Sequence, residues 1–366
     1  MSLVVFPFKE ERIDVVAANL HTAATHDRID EVWAVAAAEN AAMADVGRVA
    51  GDVTATNGTP IHVFAQDRIG VFRSGKGDGM NTALARSAER GFDRTHFFDA
   101  DITNFDTGWI DGAEHAADRG YGVVRHRFPR AATDAMITWM VTRPGLALRF
   151  PGTILPRLSQ PLGGELLLTA PAVEELAASP SVRARSDWGI DTVITHATAC
   201  LDLGLFEHNA PDGKRHALYG SLTDIGDMVL ECLDAVASLE GAPPEKADFD
   251  ADPPAPVPED LKQTVAYDID KTRESISEPP ARSEREILQS LGIDPDGPIE
   301  MDGERWMKTL PALMDRFDLA DVAWRSAVFR LWVERVIHYT IHEVPRGYDA
   351  AMSYLERTIV DFERSR

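Results

Sequence analysis

The chain has 366 residues, 44% of them hydrophobic, and a formal net charge of -22 from 37 basic and 59 acidic side chains. That length accommodates a large domain with a second unit and a sizeable core. So acidic a balance lacks the basic footprint of a general nucleic-acid binder and disfavours anionic membrane surfaces, so neither is expected as a partner. A salt-adapted source and an ordinary acidic protein both fit it. Two cysteines, Cys200 and Cys232, make no disulfide framework and suit a reducing compartment. The opening apolar run is short, has no basic leader and is cut by Pro7, so it does not read as a signal peptide. With no run long enough to span a bilayer, a cytoplasmic location is expected.

Residues 3–6 form a continuous apolar run, as in a strand buried on both faces, and 7–11 is the loop after it. A helix is predicted over about 14–26, a strand over 32–36, a helix over 40–50, a strand over 61–64, a helix over 78–90 and a strand over 96–98. This alternation predicts an α/β fold with a mostly parallel sheet, whose ligands bind beyond the carboxyl ends of the strands. Further on, 122–125 and 166–168 suggest strands, 135–141 fits strand or helix, and 190–199 and 223–239 read as helices. Residues 241–262, rich in Pro and Asp, read as a linker or loop. The segments 305–317, 320–341 and 348–364 are predicted helices. The expected organisation is a catalytic domain over 1–240, with a donor half to about 110 and an acceptor half from about 111, then the linker, then a helical region over 263–366. Trp324, Phe329 and Trp332 carry enough apolar surface for a subunit interface, and a homo-oligomer is expected; internal packing is the alternative.

Two stretches carry most of the chemistry. Asp99-Ala100-Asp101 follows an apolar run; on an extended strand alternate side chains share a face, so both carboxylates could reach one hard divalent cation. A helix cap or turn is the plainer reading. Ser74-Gly75-Lys76-Gly77-Asp78-Gly79 sets a lysine among glycines, where a phosphate can approach the backbone; Asp78 reads as a cap for the helix that follows. Its spacing is not that of a nucleoside-triphosphatase phosphate loop. Together the two stretches suggest a sugar-nucleotide site. His216, flanked by Gly213 and Gly220 and set beside basic residues, reads either as part of a solvated loop or as a third ligand beside Asp99 and Asp101, where imidazole favours manganese over magnesium. In Ser186-Asp187-Trp188-Gly189-Ile190-Asp191, Asp187 suits a cap and Trp188 a core aromatic; alternatively Trp188 walls a sugar and Asp191 faces the reacting centre. Arg125, Arg127 and Arg130 form either local ion pairs or a pocket for an anionic acceptor.

In order, these pieces resemble the mannosylglycerate synthase family, retaining glycosyltransferases of the A-type fold. The resemblance rests on Met1-Ser2-Leu3-Val4-Val5-Phe6-Pro7-Phe8-Lys9-Glu10-Glu11, on Gly75-Lys76-Gly77-Asp78-Gly79-Met80-Asn81 and on Asp99-Ala100-Asp101-Ile102-Thr103. It continues in Thr133-Asp134-Ala135-Met136-Ile137-Thr138, in Gln160-Pro161-Leu162-Gly163-Gly164-Glu165 and in Arg185-Ser186-Asp187-Trp188-Gly189-Ile190-Asp191. It runs to about residue 233 and resumes in the last helices. It implies a nucleotide-diphospho-sugar transferase fold with a C-terminal helical extension. It also implies GDP-mannose as donor, D-glycerate as acceptor (lactate or glycolate as substitutes) and the compatible solute 2-O-α-mannosylglycerate as product. A divalent metal is implied, Mn2+ favoured over Mg2+, Co2+ or Ca2+. Donor contacts carry over to Pro7, Lys9, Glu11, Gln66, Lys76, Ala100 and Tyr219, and metal ligands to Asp99, Asp101 and His216. Arg130, Thr138, Trp188 and Asp191 carry over to the acceptor site, with Leu162 and Met228 lining it. Asp191, Lys76 and Leu162 are the expected catalytic set, acting by same-face attack. One departure is Ala217, where the family tends to carry an arginine; Arg215 or Lys214 would compensate. Two rival readings are a hexosyltransferase of the same fold acting on 3-phosphoglycerate or another small hydroxy acid, and a sugar-nucleotide binding protein without turnover.

Overall fold

The computed structural model describes every residue except Glu10, Asp202, Leu218, Lys246, Ser365 and Arg366. Glu10 of the opening motif and Leu218 of the His216 segment therefore lie outside the described residues. The backbone divides into two compact units. One is Met1–Pro129 with Leu158–Ala217 and Pro243–Pro256; the other is Arg130–Arg157 with Leu218–Ala242 and Val257–Arg366. These boundaries differ from the expected 1–240, 241–262 and 263–366 division. Residues 130–157 belong with the C-terminal helices, and much of the Pro-rich stretch belongs with the sheet.

Among the described residues the first unit is built on eight strands: β1 (Ser2–Pro7), β2 (Glu31–Ala36), β3 (Ile61–Ala65), β4 (Arg94–Phe97), β5 (Val123–Arg127), β6 (Leu166–Thr169), β7 (Leu205–Asn209) and β8 (Phe249–Ala251). Their order is β3-β2-β1-β4-β6-β5-β7-β8. All neighbours are parallel except β6, which runs antiparallel to both β4 and β5. The first four strands fall where the apolar runs place them. β8 is the segment read as a linker; it pairs only with β7, and its three residues contain no proline, so the edge position tolerates the prolines around it.

The helices of the first half are α1 (Ile13–Ala24), α2 (Met43–Asn57), α3 (Lys76–Arg90) and α4 (Thr107–Asp118). No helix is predicted over α4, whose glycines 108 and 112 weaken the local signal. Packing explains Gly112: a Cβ there would lie 2.0 Å from the His208 ring. Val4, Phe6, Leu20, Val32, Phe98 and Trp109 join one core cluster on this unit's sheet.

In the second unit, 135–141 resolves as helical. A π-helical turn, Thr138–Thr142, leads into helix Arg143–Arg149. The C-terminal helices Gly303–Arg316, Val322–His342 and Tyr348–Arg364 grip this segment. The Trp306 indole donates to the Met140 carbonyl (2.5 Å), Tyr339 Oη to that of Ala132 (3.0 Å) and Tyr348 Oη to that of Arg130 (2.9 Å). Arg143 pairs bidentately with Glu356 at 2.8 and 3.0 Å. Trp332 is fully buried within this unit, beside Phe329 at a ring separation of 6.1 Å, so it is core rather than subunit surface.

Glu114 on α4 anchors a buried ion network beneath β1 and β4. It accepts from His96 (2.9 Å), Arg28 (3.1 Å), Ser2 (3.1 Å) and Arg94. Burial alone would push its carboxyl up; the His96 imidazole and Arg94 guanidinium more than offset this and hold it down to about 2. A depressed carboxyl contributes stability that is present above the unfolded value and lost as pH falls through the folded one. Glu114→Gln should therefore lower stability at pH 7 by on the order of 3 kcal/mol and flatten the acid dependence below pH 4.5, read by urea unfolding at several pH values.

Candidate active site

The strand order reverses direction of growth between β1 and β4, and ligands of such sheets bind at the carboxyl edge of that switch point. β1 delivers Pro7 to this edge and β4 delivers Asp99. Because β6 is antiparallel, with Leu166 opposite Phe97, it brings Gly164 and Glu165 to the same edge from its amino end. Two helices begin there as well, α3 with Lys76 as its first residue and helix Ile190–Cys200 with Asp191 in its first turn.

These residues form a chain of ion pairs. Lys76 Nζ donates to Asp99 Oδ1 (2.8 Å) and to Asp191 Oδ2 (3.0 Å), and lies 5.7 Å from the centre of the Trp188 ring. Lys214 Nζ donates to Asp99 Oδ2 and to Glu165 Oε1, each at 2.5 Å. Burial would push the Lys76 ammonium down, but Asp191, Asp99 and Glu165 outweigh it and raise its pKa, so it stays charged. Burial likewise opposes ionisation of Asp99, yet Lys214 and Lys76 hold it well below the usual range. Asp191 moves the other way: burial raises it, Lys76 offsets part of the rise, and Asp99 adds to it. Asp191 Oδ1 and Glu165 Oε2 are buried without a hydrogen-bond partner among the described residues. A cation at a helix N-terminus opposes the helix dipole, so these carboxylates are what keep Lys76 in place.

Gly164 permits the pairing. A Cβ there would lie 2.4 Å from Lys76 Nζ and 2.9 Å from Asp99 Oδ1. Asp78 does not cap α3, because the helix starts earlier, with Gly75 at its N-cap and no side-chain cap. Instead the buried Asp78 carboxylate accepts the amides of Ile69 and Gly70 (3.0 Å each) and pairs with Arg68 at 2.8 Å, fixing the loop ahead of the helix. Asp187 accepts the Gly189 amide at 2.9 Å and pairs with Arg185.

The two acidic residues lie differently from the extended-strand expectation. β4 ends at Phe97, and Ala100 and Asp101 sit in a turn, so strand alternation does not aim their side chains. Asp99 commits both oxygens to lysines, and His216 places Nδ1 2.8 Å from the Ala217 carbonyl. Among the described residues no three carboxylate, imidazole or thiol side chains converge on one metal-sized point. The donor chemistry does fit a hard cation: besides burial, the charges of Asp101 and Asp99 raise the Glu11 carboxyl, a crowding of acids that a cation relieves. The His216 segment is tied to this turn. The Thr103 amide donates to the Arg215 carbonyl (2.8 Å), and Asn104 bonds both the Arg215 amide (2.9 Å) and the Gly213 carbonyl (2.8 Å). Lys214, one of the two residues expected to compensate for Ala217, is thereby held on Asp99 and Glu165.

Of the expected donor contacts, Gln66 and Pro7 flank the first turn of α3. A Cβ on Gly79 would be 3.2 Å from Gln66 Oε1 and 3.7 Å from Pro7. Gln66 also donates to Ser74 Oγ at 3.3 Å. Glu11 accepts the Lys9 amide, and the Ala100 carbonyl accepts from Asn19 at 3.0 Å. Leu162 lies at the turn before Gly164 and is half-buried. Arg130, Thr138, Tyr219 and Met228 belong to the second unit. There Arg130 pairs with Asp134 at 3.0 Å, Thr138 is buried in the π-helical turn, and the Tyr219 amide donates to the Ala266 carbonyl at 3.1 Å. Met228, on helix Gly226–Ser238, is half-buried. Ala135, between Arg130 and Thr138, holds φ at 57°, a strained value for a residue with a Cβ, and its amide donates to Asp134 Oδ1 at 2.7 Å.

Arg125 and Arg127 do not form the expected pocket for an anionic acceptor. Arg125 is fully buried and donates to the carbonyls of Gln160 (3.3 Å) and Gly163 (2.8 Å); Arg127 donates to the Asp252 carbonyl. The sequence reading missed Glu165 and Gly164 as site residues. The adjacent glycines before a short apolar run were the available signal, but only an antiparallel β6 brings them to Asp99.

Family models described as "Mannosylglycerate synthase, GT domain" and "Mannosylglycerate synthase C-terminal domain" match residues 2–238 and 298–359. The mannosylglycerate synthase of Rhodothermus marinus is 41% identical over 374 residues, covering 98% of this chain and 94% of that protein. That of Selaginella moellendorffii is 41% identical over 375 residues, covering 98% and 89%. Among solved structures, the glucosyl-3-phosphoglycerate synthase of Mycobacterium tuberculosis in complex with Mn2+, uridine-diphosphate and phosphoglyceric acid matches with a TM-score of 0.53 at 19% identity, over 67% of this chain and 80% of that one. At that identity the likeness shows a shared A-type glycosyltransferase fold.

Gly164→Ala is expected to push Lys76 off Asp99. The overpacking should cost about 1–3 kcal/mol of stability, read by denaturant unfolding, with any transfer activity falling at least about tenfold.

Proposed function

The chain belongs to the mannosylglycerate synthase family and is a glycosyltransferase, and from that premise we propose that it moves mannose from GDP-mannose to D-glycerate with retention, giving 2-O-α-mannosylglycerate. The observation that carries this reading is Lys76, which ties Asp99 on the nucleotide side to Asp191 at the head of helix Ile190–Cys200. In transfer the bond from the anomeric carbon to the diphosphate oxygen breaks, and a bond to the glycerate 2-oxygen forms on the same face. The glycerate hydroxyl proton passes to the departing phosphate. Lys76, charged and buried, stabilises the negative charge that builds on the leaving group. Asp191 orients the sugar and the acceptor hydroxyl, and Trp188 walls the sugar.

A divalent cation, Mn2+ in this reading, would be held by Asp101 and His216 beside Asp99, and would neutralise charge on the diphosphate. By family likeness the donor residues are Pro7, Lys9, Glu11, Gln66, Ala100 and Tyr219, Arg130 takes the glycerate carboxylate, and Thr138, Leu162 and Met228 are further acceptor residues. In this reading the enzyme is cytoplasmic; no helix among the described residues is long and apolar enough to cross a membrane.

The rival acceptor, 3-phosphoglycerate, asks for more cations. Arg125 and Arg127 were the candidates, and both guanidinium groups are engaged by backbone carbonyls, which favours the singly charged glycerate. Purified protein assayed with GDP-mannose or GDP-glucose, and D-glycerate or 3-phosphoglycerate, with Mn2+ or EDTA, tests the whole reading. The expected product forms only with GDP-mannose, D-glycerate and metal; undiminished turnover in EDTA would falsify the metal assignment. Arg130→Ala removes a charged hydrogen bond of about 1.5–3 kcal/mol, so KM for glycerate should rise roughly ten- to hundredfold while donor affinity holds. An unchanged acceptor KM refutes the role given to Arg130.

A further inference from the structure

β5 and β7 are interior strands of the first unit's sheet, yet each carries a fully buried charge at the same register position, Arg125 opposite Glu207. Neither charge is spent on the other side chain by a direct hydrogen bond that the structure records. Both reach the same short segment, residues 159–164. Glu207 accepts the Ser159 amide at 2.7 Å and the Ser159 hydroxyl at 3.0 Å. Arg125 Nη2 donates to the carbonyls of Gln160 and Gly163. The acid thus takes the donors of the segment and the guanidinium takes its acceptors. A third hold comes from Thr195, whose one hydroxyl proton is shared between the Pro161 carbonyl at 2.5 Å and, on its own helix, the Asp191 carbonyl at 2.8 Å. The segment closes on itself through the Gly163 amide and the Gln160 carbonyl at 3.0 Å.

This contrasts with the ion network around Glu114, where the cations converge on carboxylates and serve the fold. Arg125 Nε and Nη1 are buried with no hydrogen-bond partner among the described residues, although leaving such groups unpaired in an interior is destabilising. An apolar residue would fill a strand interior more cheaply. What the two charges hold is one turn: it carries Leu162 and ends at Gly164, where a Cβ would lie 2.4 Å from Lys76 Nζ and 2.9 Å from Asp99 Oδ1. Displacement of such a turn by an ångström is enough to lose a productive geometry.

We propose that Arg125 and Glu207 are positioning residues, a buried clamp that locks the 159–164 turn beneath Lys76, Asp99 and Asp191 in the geometry needed for sugar transfer. The proposal rests on the transferase reading and adds residues that touch neither donor nor acceptor.

The test combines kinetics with hydrogen exchange on full-length Arg125→Gln, Arg125→Lys, Glu207→Gln and Thr195→Val. In Arg125→Gln the amides of the turn, that of Gly163 above all, should exchange faster while the Asp78 and Gly79 amides at the start of α3 keep their protection. Its kcat should fall at least about tenfold while the Kd for GDP-mannose stays within about threefold. Arg125→Lys, which keeps the charge but not the fork, should recover only part of kcat. Thr195→Val, which deletes one hydroxyl and no charge, should lower kcat by a smaller factor and serves if Arg125→Gln fails to fold. Faster exchange with wild-type kcat, or donor affinity falling in step with kcat, overturns the positioning role. Unchanged exchange at the turn overturns the clamp itself. A wild-type protein that binds GDP-mannose without transferring it overturns the transferase reading and the positioning role together, while exchange still decides the clamp.

Discussion

Lys76 between Asp99 and Asp191 is the constraint around which the first unit is arranged. An ammonium ion at the start of a helix, removed from water, is stable only when carboxylates surround it. Those carboxylates come from separate parts of the chain: a turn after β4, the first turn of a later helix, and, through Lys214, the residue ahead of β6. Glycine at 164 is required because the ammonium lies where its side chain would stand. The same pairing explains why Asp99, held by two lysines, is ionised although buried, and why Asp191, paired with one, is raised.

Charge in this site is balanced by proximity rather than by solvent. Asp99, Asp191 and Glu165 face Lys76 and Lys214, and Arg125 contributes to the same field from the sheet floor. A nucleoside diphosphate brings further negative charge and a metal brings positive charge, so the arrangement suits a reaction that moves charge between bound groups. The second unit has a different task. Its C-terminal helices hold the 130–143 segment through Trp306, Tyr339, Tyr348 and the Arg143–Glu356 pair, and so fix the strained backbone at Ala135 between Arg130 and Thr138.

Several elements were legible in the chain because their signals are local. Continuous apolar runs announce β1 and β2, since a parallel strand covered on both faces has no polar side to show. The late helices, expected over 305–317, 320–341 and 348–364, fall close to those bounds. α4 and β8 were hidden because their defining partners are distant: a histidine from β7 fills the space that glycine leaves on α4, and β8 is a strand only by pairing with β7. Arg125 misled for the same reason. A cluster of arginines in an acidic chain suggests an anion pocket, and nothing local says that one of them points into the core.

The order of residues alone determined the family, the alternating fold and most of the chemical groups, because those depend on residue identity and short-range spacing. Tertiary structure decided which groups meet. The antiparallel entry of β6 puts Gly164 and Glu165 against Asp99, and the turn at Ala100 and Asp101 takes the second acid off the extended strand. The register of β5 on β7 turns two isolated charges into a pair that grips one segment. These are consequences of hydrogen bonding between strands far apart in sequence, and such register is set by the whole packed sheet rather than by any window of the chain.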